Sequence, residues 1–198
     1  MLRDKLIGYK IILASGSPRR QQFFKDLDVD FEIRLREVDE VYPADLMAEE
    51  ITNYLARLKA DAFNGTLAEG DILVTSDTIV WHNKKALGKP KDYNDAVNIL
   101  KSLANSTHDV ITSVCFQTLH TRDVIYDVTK VSVGKLTDEM IAYYINNYKP
   151  FDKAGSYGIQ EWIGFVAVEK IEGSYTNVMG LPTAKVYHYL NTFKSKNQ

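Results

Sequence analysis

Two long β-rich segments, His108 to His120 and Val124 to Leu136, stand back to back around Thr121-Arg122-Asp123 and read as one hairpin in the middle of the chain. A sequential antiparallel pair of that length does not belong to a purely parallel, doubly wound sheet. On either side of it, short apolar runs alternate with helical patterns. Strands are expected at Lys10 to Ala14, Phe31 to Leu35, Ile72 to Ser76 and Ile79 to His82, the last turning back at Asn83-Lys84-Lys85 toward Leu87. The pattern predicts a mixed α/β fold, a long twisted sheet flanked by helices. At 198 residues the chain fits one domain, 1–198, of two closely joined lobes.

The helices announce themselves by start signals and stripes. Ser17 before Pro18 opens the first, with Phe23, Phe24 and Leu27 as its apolar face. A second runs from about Leu46 to Phe63, with Ile51, Tyr54, Leu55, Leu58 and Ala62 at helical spacing. Asp92 caps a third carrying Ala96, Ile99, Leu100 and Leu103, and Thr137 caps a fourth carrying Ile141, Tyr144, Ile145 and Tyr148. A glycine-rich loop, Lys153 to Gln160, leads to an expected strand, Ile163 to Ile171, and Pro182 opens the last helix. The polar tail KSKNQ is expected to fray.

Charge limits the partners. Lys+Arg 24 against Asp+Glu 26 leaves a net charge of -2, so no global basic field exists to hold nucleic acid. An anionic ligand must be caught by local geometry. No run approaches the ~20 apolar residues of a membrane span, and the N-terminus lacks the apolar core of a secretion signal, which points to a cytoplasmic protein without a membrane partner. The single cysteine, Cys115, lies in the apolar run VITSVCF, cannot form an internal disulfide and reads as a buried structural thiol.

Local geometry of that kind is present at Ser15-Gly16-Ser17-Pro18-Arg19-Arg20. Gly16 lets the backbone pass close to a ligand, and the helix start offers free N–H groups. Two hydroxyls and two guanidiniums suit a polyphosphate, and two cations at a helix N-terminus invite an anion. The plainer reading is a capped helix with two solvated arginines. Asp77-Thr78 follows an apolar strand, where a carboxylate can hold a divalent cation, deprotonate a water, or simply cap a turn. Lys59, on the second helix, and Lys89, pinned by Pro90, are either phosphate ligands or surface lysines. Asp39 and Glu40 are hard oxygen ligands of the kind Mg²⁺ takes, in a loop that can equally be solvated. The loop Asp152 to Gln160 carries glycines, a lysine and a terminal amide, suited to folding over a hydrogen-bonding base. His108 reads as structural, and no P-loop, HExxH or GxSxG motif is present.

Taken in order, these pieces resemble the Maf family of nucleotide pyrophosphatases along nearly the whole chain. The matching runs are ASGSPRR (14–20), VDE (38–40), LARLKA (55–60), SDTIV (76–80), LGKP (87–90), THDVIT (107–112), DKAGSYGIQ (152–160) and EGSYTNVMGLP (172–182). Each alone is weak; eight in one order are specific. The resemblance implies a fold similar to inosine-triphosphate pyrophosphatases, with nucleotide in a cleft between the lobes. It places the proton acceptor at Asp77 and an acidic group linked to metal or water at Glu40. Ser15, Arg19, Arg20, Lys59 and Lys89 match positions lining the triphosphate, and Arg19, Thr78 and Gln160 match the trio that marks the branch acting on dTTP and UTP. It further implies a divalent cation, Mg²⁺ or Mn²⁺, and a homodimer.

The departures are Thr75-Ser76 where Gly-Ala is usual, Asn105 for a glycine before His108, and Trp162 after the Gln160 loop. The last bears on the base pocket. Two other readings stay open at this point: a non-catalytic nucleotide-binding regulator of cell division, and a 7-methyl-GTP or inosine-type housecleaning enzyme. The first is disfavoured by the presence of Asp77 and both lysines.

Overall fold

The structure, a computed structural model, describes residues 1–195; the last three residues of the polar tail lie outside the described residues. In chain order the elements are α1 (Leu2–Lys5), β1 (Lys10–Leu13), α2 (Pro18–Asp26), β2 (Phe31–Ile33), α3 (Glu49–Asp61), β3 (Asp71–His82), β4 (Lys85–Leu87) and α4 (Tyr93–Leu103). There follow β5 (Ser106–Gln117), β6 (Arg122–Val133), α5 (Asp138–Tyr148), α6 (Trp162–Ala167), β7 (Val168–Glu172), α7 (Tyr175–Val178) and α8 (Thr183–Leu190).

The strands form one sheet in the order β2-β1-β3-β5-β6-β7, with β4 added on β3. β1 runs parallel to β2 and β3, whereas β3/β4 and β6/β7 are antiparallel, so the sheet is mixed. The expected α/β class holds. Asn83 and Lys84 both take positive φ, 50° and 60°, the condition for a two-residue turn that matches strand twist, and β4 returns from it.

The chain divides into two compact units. Unit 1 comprises Met1–Asp77, Thr112–Asp127 and the stretch from Gly180; unit 2 comprises Thr78–Ile111 and Val128–Met179. In unit 1, Phe24 from α2 packs with Leu13, Ile72, Val74, Phe116 and Val186. A second cluster sets Ala56, Ala60 and Phe63 of α3's side against Ile12, Leu73 and Cys115. Cys115 is free and buried, and burial pushes its thiol up to about 11, as an inert packing residue requires.

Unit 2 is built on the two stripes that the periodicity predicts. Ala96, Ile99, Leu100 and Leu103 of α4 and Ile141, Tyr144 and Ile145 of α5 are all buried in one cluster. Each helix has its cap: Asp92 accepts from the Asp95 N–H at 2.9 Å and Thr137 from the Met140 N–H at 3.2 Å. Tyr148, at the far end of its stripe, is 37% exposed.

Four expectations are corrected. The two strands expected on either side of Asp77-Thr78 are one unbroken strand, β3, because no glycine or proline interrupts residues 71–82. The helix expected from Leu46 begins at Glu49, since Ala48 takes φ 48° and breaks the helical path. The hairpin turns at Thr118 to Thr121, where the Thr118 N–H donates to the Thr121 carbonyl at 2.8 Å, earlier than expected. Residues 162–167 form helix α6 instead of the start of a strand. A Cβ on Gly164 would stand 1.8 Å from the Ile159 carbonyl oxygen, so this turn lies directly on the preceding loop backbone. That close packing outweighs the β-propensity of Ile163, Phe165 and Val166.

Candidate active site

In unit 1 the central group is Lys59. Its position in the last turn of α3 follows from the stripe Ile51, Leu55, Ala56 and Ala60, which buries one face of the helix and leaves Lys59 half-buried at its edge. Its Nζ lies 2.6 Å from Asp77 Oδ1, 2.8 Å from Glu40 Oε1 and 3.4 Å from the Ser76 carbonyl oxygen. Asp77 is 6% exposed, in the middle of β3 and not at a strand end. Burial raises its pKa above the ordinary carboxylate range, while Lys59 and Arg20 pull it back and Glu40 adds to the rise.

Arg20, in the first turn of α2, donates from Nε to the Gly180 carbonyl at 2.8 Å and from Nη1 to the Ser76 carbonyl at 3.2 Å. Burial lowers its pKa; Asp77 and Glu40 oppose that effect and Arg19 reinforces it. Arg20 is thus tied into the backbone beside Asp77 and is no loose surface arginine. Ser15 is buried and its Oγ accepts from the Ser17 N–H at 3.3 Å, which shapes the turn before Pro18. Gln21 reaches back to the Ser15 carbonyl at 3.1 Å. Sequence reading selected Ser15, Arg19, Arg20, Glu40, Lys59 and Asp77; all belong to unit 1, and Glu40, Lys59, Asp77 and Arg20 form one charge cluster.

Thr78, Lys89 and Gln160 belong to unit 2. Thr78 follows Asp77 on β3, Lys89 is exposed, and Gln160 is partly buried at the end of the glycine-rich loop. That loop is fixed from several sides. The Gly155 N–H donates to the Gly88 carbonyl at 3.1 Å, joining the loop to the turn that carries Lys89. Lys153, 8% exposed, pairs with Asp152 at 2.7 Å and Glu161 at 3.2 Å. Glu161 in turn accepts from the Tyr144 hydroxyl, which itself accepts from the Gly158 N–H at 2.9 Å.

Sequence reading missed Lys153, Glu161 and Tyr144 as loop anchors. The available signal was two opposite charges flanking a loop of glycines. His108 is structural in its contacts: it is buried, with Nε2 2.7 Å from the Tyr157 hydroxyl. Burial, and to a lesser degree His82, lowers its pKa to about 4, so the ring is neutral at pH 7. Among the described residues, no group of three or more His, Cys, Asp or Glu side chains gathers as a metal site, and no helix is long and apolar enough to cross a membrane.

Residues 10–193 match the family of Maf-like proteins. A dTTP/UTP pyrophosphatase of Flavobacterium johnsoniae is 69% identical over 192 residues, 97% of this chain and 99% of the relative. One of Flavobacterium psychrophilum is 63% identical over 190 residues, 96% and 97% of the two chains. One of Bacteroides fragilis is 51% identical over 183 residues, 92% and 95%. A more distant likeness to the solved structure of the Staphylococcus aureus Ham1 protein has a TM-score of 0.46 at 14% identity, covering 63% of this chain and 71% of that one.

Proposed function

Because the chain belongs to the Maf-like protein family, we propose that it is a nucleoside triphosphate pyrophosphatase that hydrolyses dTTP and UTP to the monophosphate and pyrophosphate. The observation that carries this reading is Lys59 held between Glu40 and Asp77 with Arg20 beside them. Hydrolysis between the α- and β-phosphates needs an activated water, neutralised phosphate charge and a stabilised leaving group.

Asp77 supplies the first. A carboxylate whose pKa is raised by burial is a better proton acceptor near neutrality than an exposed one, and Lys59 and Arg20 act against that rise by favouring its charged form. In this scheme the water oxygen attacks the α-phosphorus and its proton passes to Asp77. The bond from that phosphorus to the bridging oxygen breaks, and pyrophosphate leaves with the electron pair. Arg19, Arg20, Lys59 and Lys89 neutralise the phosphates; Arg20 does so chiefly by its charge, since backbone carbonyls engage Nε and Nη1. Thr78, Arg19 and Gln160 select the nucleotide.

Glu40 and Asp77 fit a divalent cation, being hard oxygen donors that both face the position of one ammonium. They would hold Mg²⁺ or Mn²⁺, which when bound acidifies a water and shields phosphate charge. Two carboxylates leave the remaining ligand positions to water and substrate, as is usual for Mg²⁺ at phosphates. The reading also includes a cytoplasmic homodimer. Exposed Phe165 and Val166 on α6 are apolar surface of the kind that self-association covers.

A panel of nucleoside triphosphates incubated with Mg²⁺, with products separated by chromatography, tests the proposal. Monophosphate and pyrophosphate from dTTP and UTP, abolished by EDTA, are the expected result. Diphosphate and orthophosphate would overturn it.

A further inference from the structure

Lys59 reaches Asp77 only if α3 stands at the right height along β3, and apolar burial alone does not set that height. The inner face of α3 buries Ile51, Leu55, Ala56 and Ala60, of which Ala56 and Ala60, both 0% exposed, cluster with Ile12 and Leu73. Such contact is non-directional, and in the half of the helix that carries Lys59 it is made by the small side chains of Ala56 and Ala60. A polar tie is directional. Thr75, also 0% exposed, donates its hydroxyl to the Ala56 carbonyl at 2.6 Å, across a sequence separation of 19.

The geometry couples this bond to the ion pair. Thr75 and Asp77, two apart on one strand, lie on the same face of the sheet. Ala56 and Lys59, three apart on one helix, are neighbours on its surface. The Thr75–Ala56 bond and the Asp77–Lys59 pair are therefore successive rungs between the same two elements. The first turn of α3 is held separately: the hydroxyls of Thr52 and Ser113 lie 2.6 Å apart, and Ser113 donates to Asn53 at 2.8 Å. Loss of the Thr75 bond would leave the helix docked by its apolar face and remove the directional tie nearest Lys59.

We propose that Thr75 is a positioning residue: its bond to the Ala56 carbonyl fixes the last turn of α3 on β3 and thereby the meeting of Lys59 with Asp77. The proposal rests on the reading that this ion pair serves hydrolysis.

The test is steady-state kinetics on dTTP for the wild type, Thr75→Val, Thr75→Ser, Lys59→Met and the double variant Lys59→Met/Thr75→Val. Valine keeps the shape of threonine and removes the hydroxyl, both its donation to the Ala56 carbonyl and its contact with the buried Cys115 thiol. It should lower kcat about three- to tenfold, the scale of one ordinary hydrogen bond, with KM unchanged within about twofold. Serine keeps the donor and should restore kcat to within about twofold of wild type. On the Lys59→Met background, Thr75→Val should cost nothing further, because the group it positions is gone.

Wild-type kcat in Thr75→Val, an equal loss on both backgrounds, or no rescue by serine would each overturn the proposal. Wild-type turnover by Lys59→Met would overturn the reading of the ion pair itself and the proposal with it, a result that Thr75→Val alone cannot mimic.

Discussion

Lys59 and Asp77, 18 residues apart and on different elements, meet at 2.6 Å from Nζ to Oδ1. Asp77 is 8% exposed in its side chain and Lys59 18%, so the pair is sheltered from solvent without being sealed from it. A carboxylate so placed can stay charged only with its cation in reach, and the cation in turn bridges to Glu40. Under the proposed scheme the pair has a chemical role beside its structural one, and mutation can separate the two.

Asp77→Asn keeps the shape and removes the proton acceptor. Turnover of dTTP should fall by about 10²- to 10⁴-fold, the span for losing a general base, while nucleotide binding measured by calorimetry survives. A variant running at wild-type rate would make Asp77 structural and move the search for the base to Glu40.

Gln160→Glu tests base selection. A 4-keto pyrimidine with an N3–H presents an acceptor beside a donor, which the glutamine amide can meet with both of its groups. Cytosine presents the reverse, leaving a polar group unpaired at about 1–3 kcal/mol, roughly ten- to hundredfold in preference. The variant loses the donor, so the ratio of kcat/KM for UTP over CTP should drop toward unity. An unchanged ratio would show that Gln160 ties its loop and does not read the base.

His108 makes stability depend on pH in a definite direction. Its pKa in the fold is about 4 against an unfolded value near 6.5, so the unfolded chain takes up the proton first as pH falls. The contribution is complete above pH 6.5 and is lost as pH falls from there toward 4, at a cost of about 3 kcal/mol. Carboxylates titrate in part of the same window, so the measurement is a comparison. Urea midpoints between pH 7 and 4 should decline less steeply for His108→Gln than for the wild type, and parallel declines would remove the histidine from the account.

Gly155→Ala should disturb the loop that carries Gln160. Gly155 takes φ 69°, and a Cβ there would stand 2.6 Å from Val80 Cγ2. Backbone strain and the clash together should lower stability by about 1–3 kcal/mol by chemical denaturation. Adding Val80→Ala relieves the clash and not the strain, so the double variant should cost less than the sum of the two single ones. Strict additivity would show that the contact with Val80 carries no energy.

Sequence alone determined those parts of this protein that local pattern encodes. The buried stripes of α4 and α5 and their caps Asp92 and Thr137 follow from helical periodicity and side-chain chemistry within a few residues. The order of motifs likewise led to Asp77, Lys59, Arg20 and Glu40, because glycine, proline and charge at fixed spacing survive as text. Tertiary structure decided the rest. Residue types around 77 give no Gly or Pro to break β3, but that Asp77 would be buried within it beside a cation from α3 is a relation those residue types carry no trace of. The helical turn at 162–167 was decided by the Ile159 backbone against Gly164, a contact in space that outweighs local propensity. For the anchoring of the loop by Lys153, Glu161 and Tyr144, the sequence offered two opposite charges flanking glycines but not that they meet, nor that Tyr144 reaches them from α5. Burial and pairing are relations between distant segments, and the pKa values they set exist only once the chain has folded.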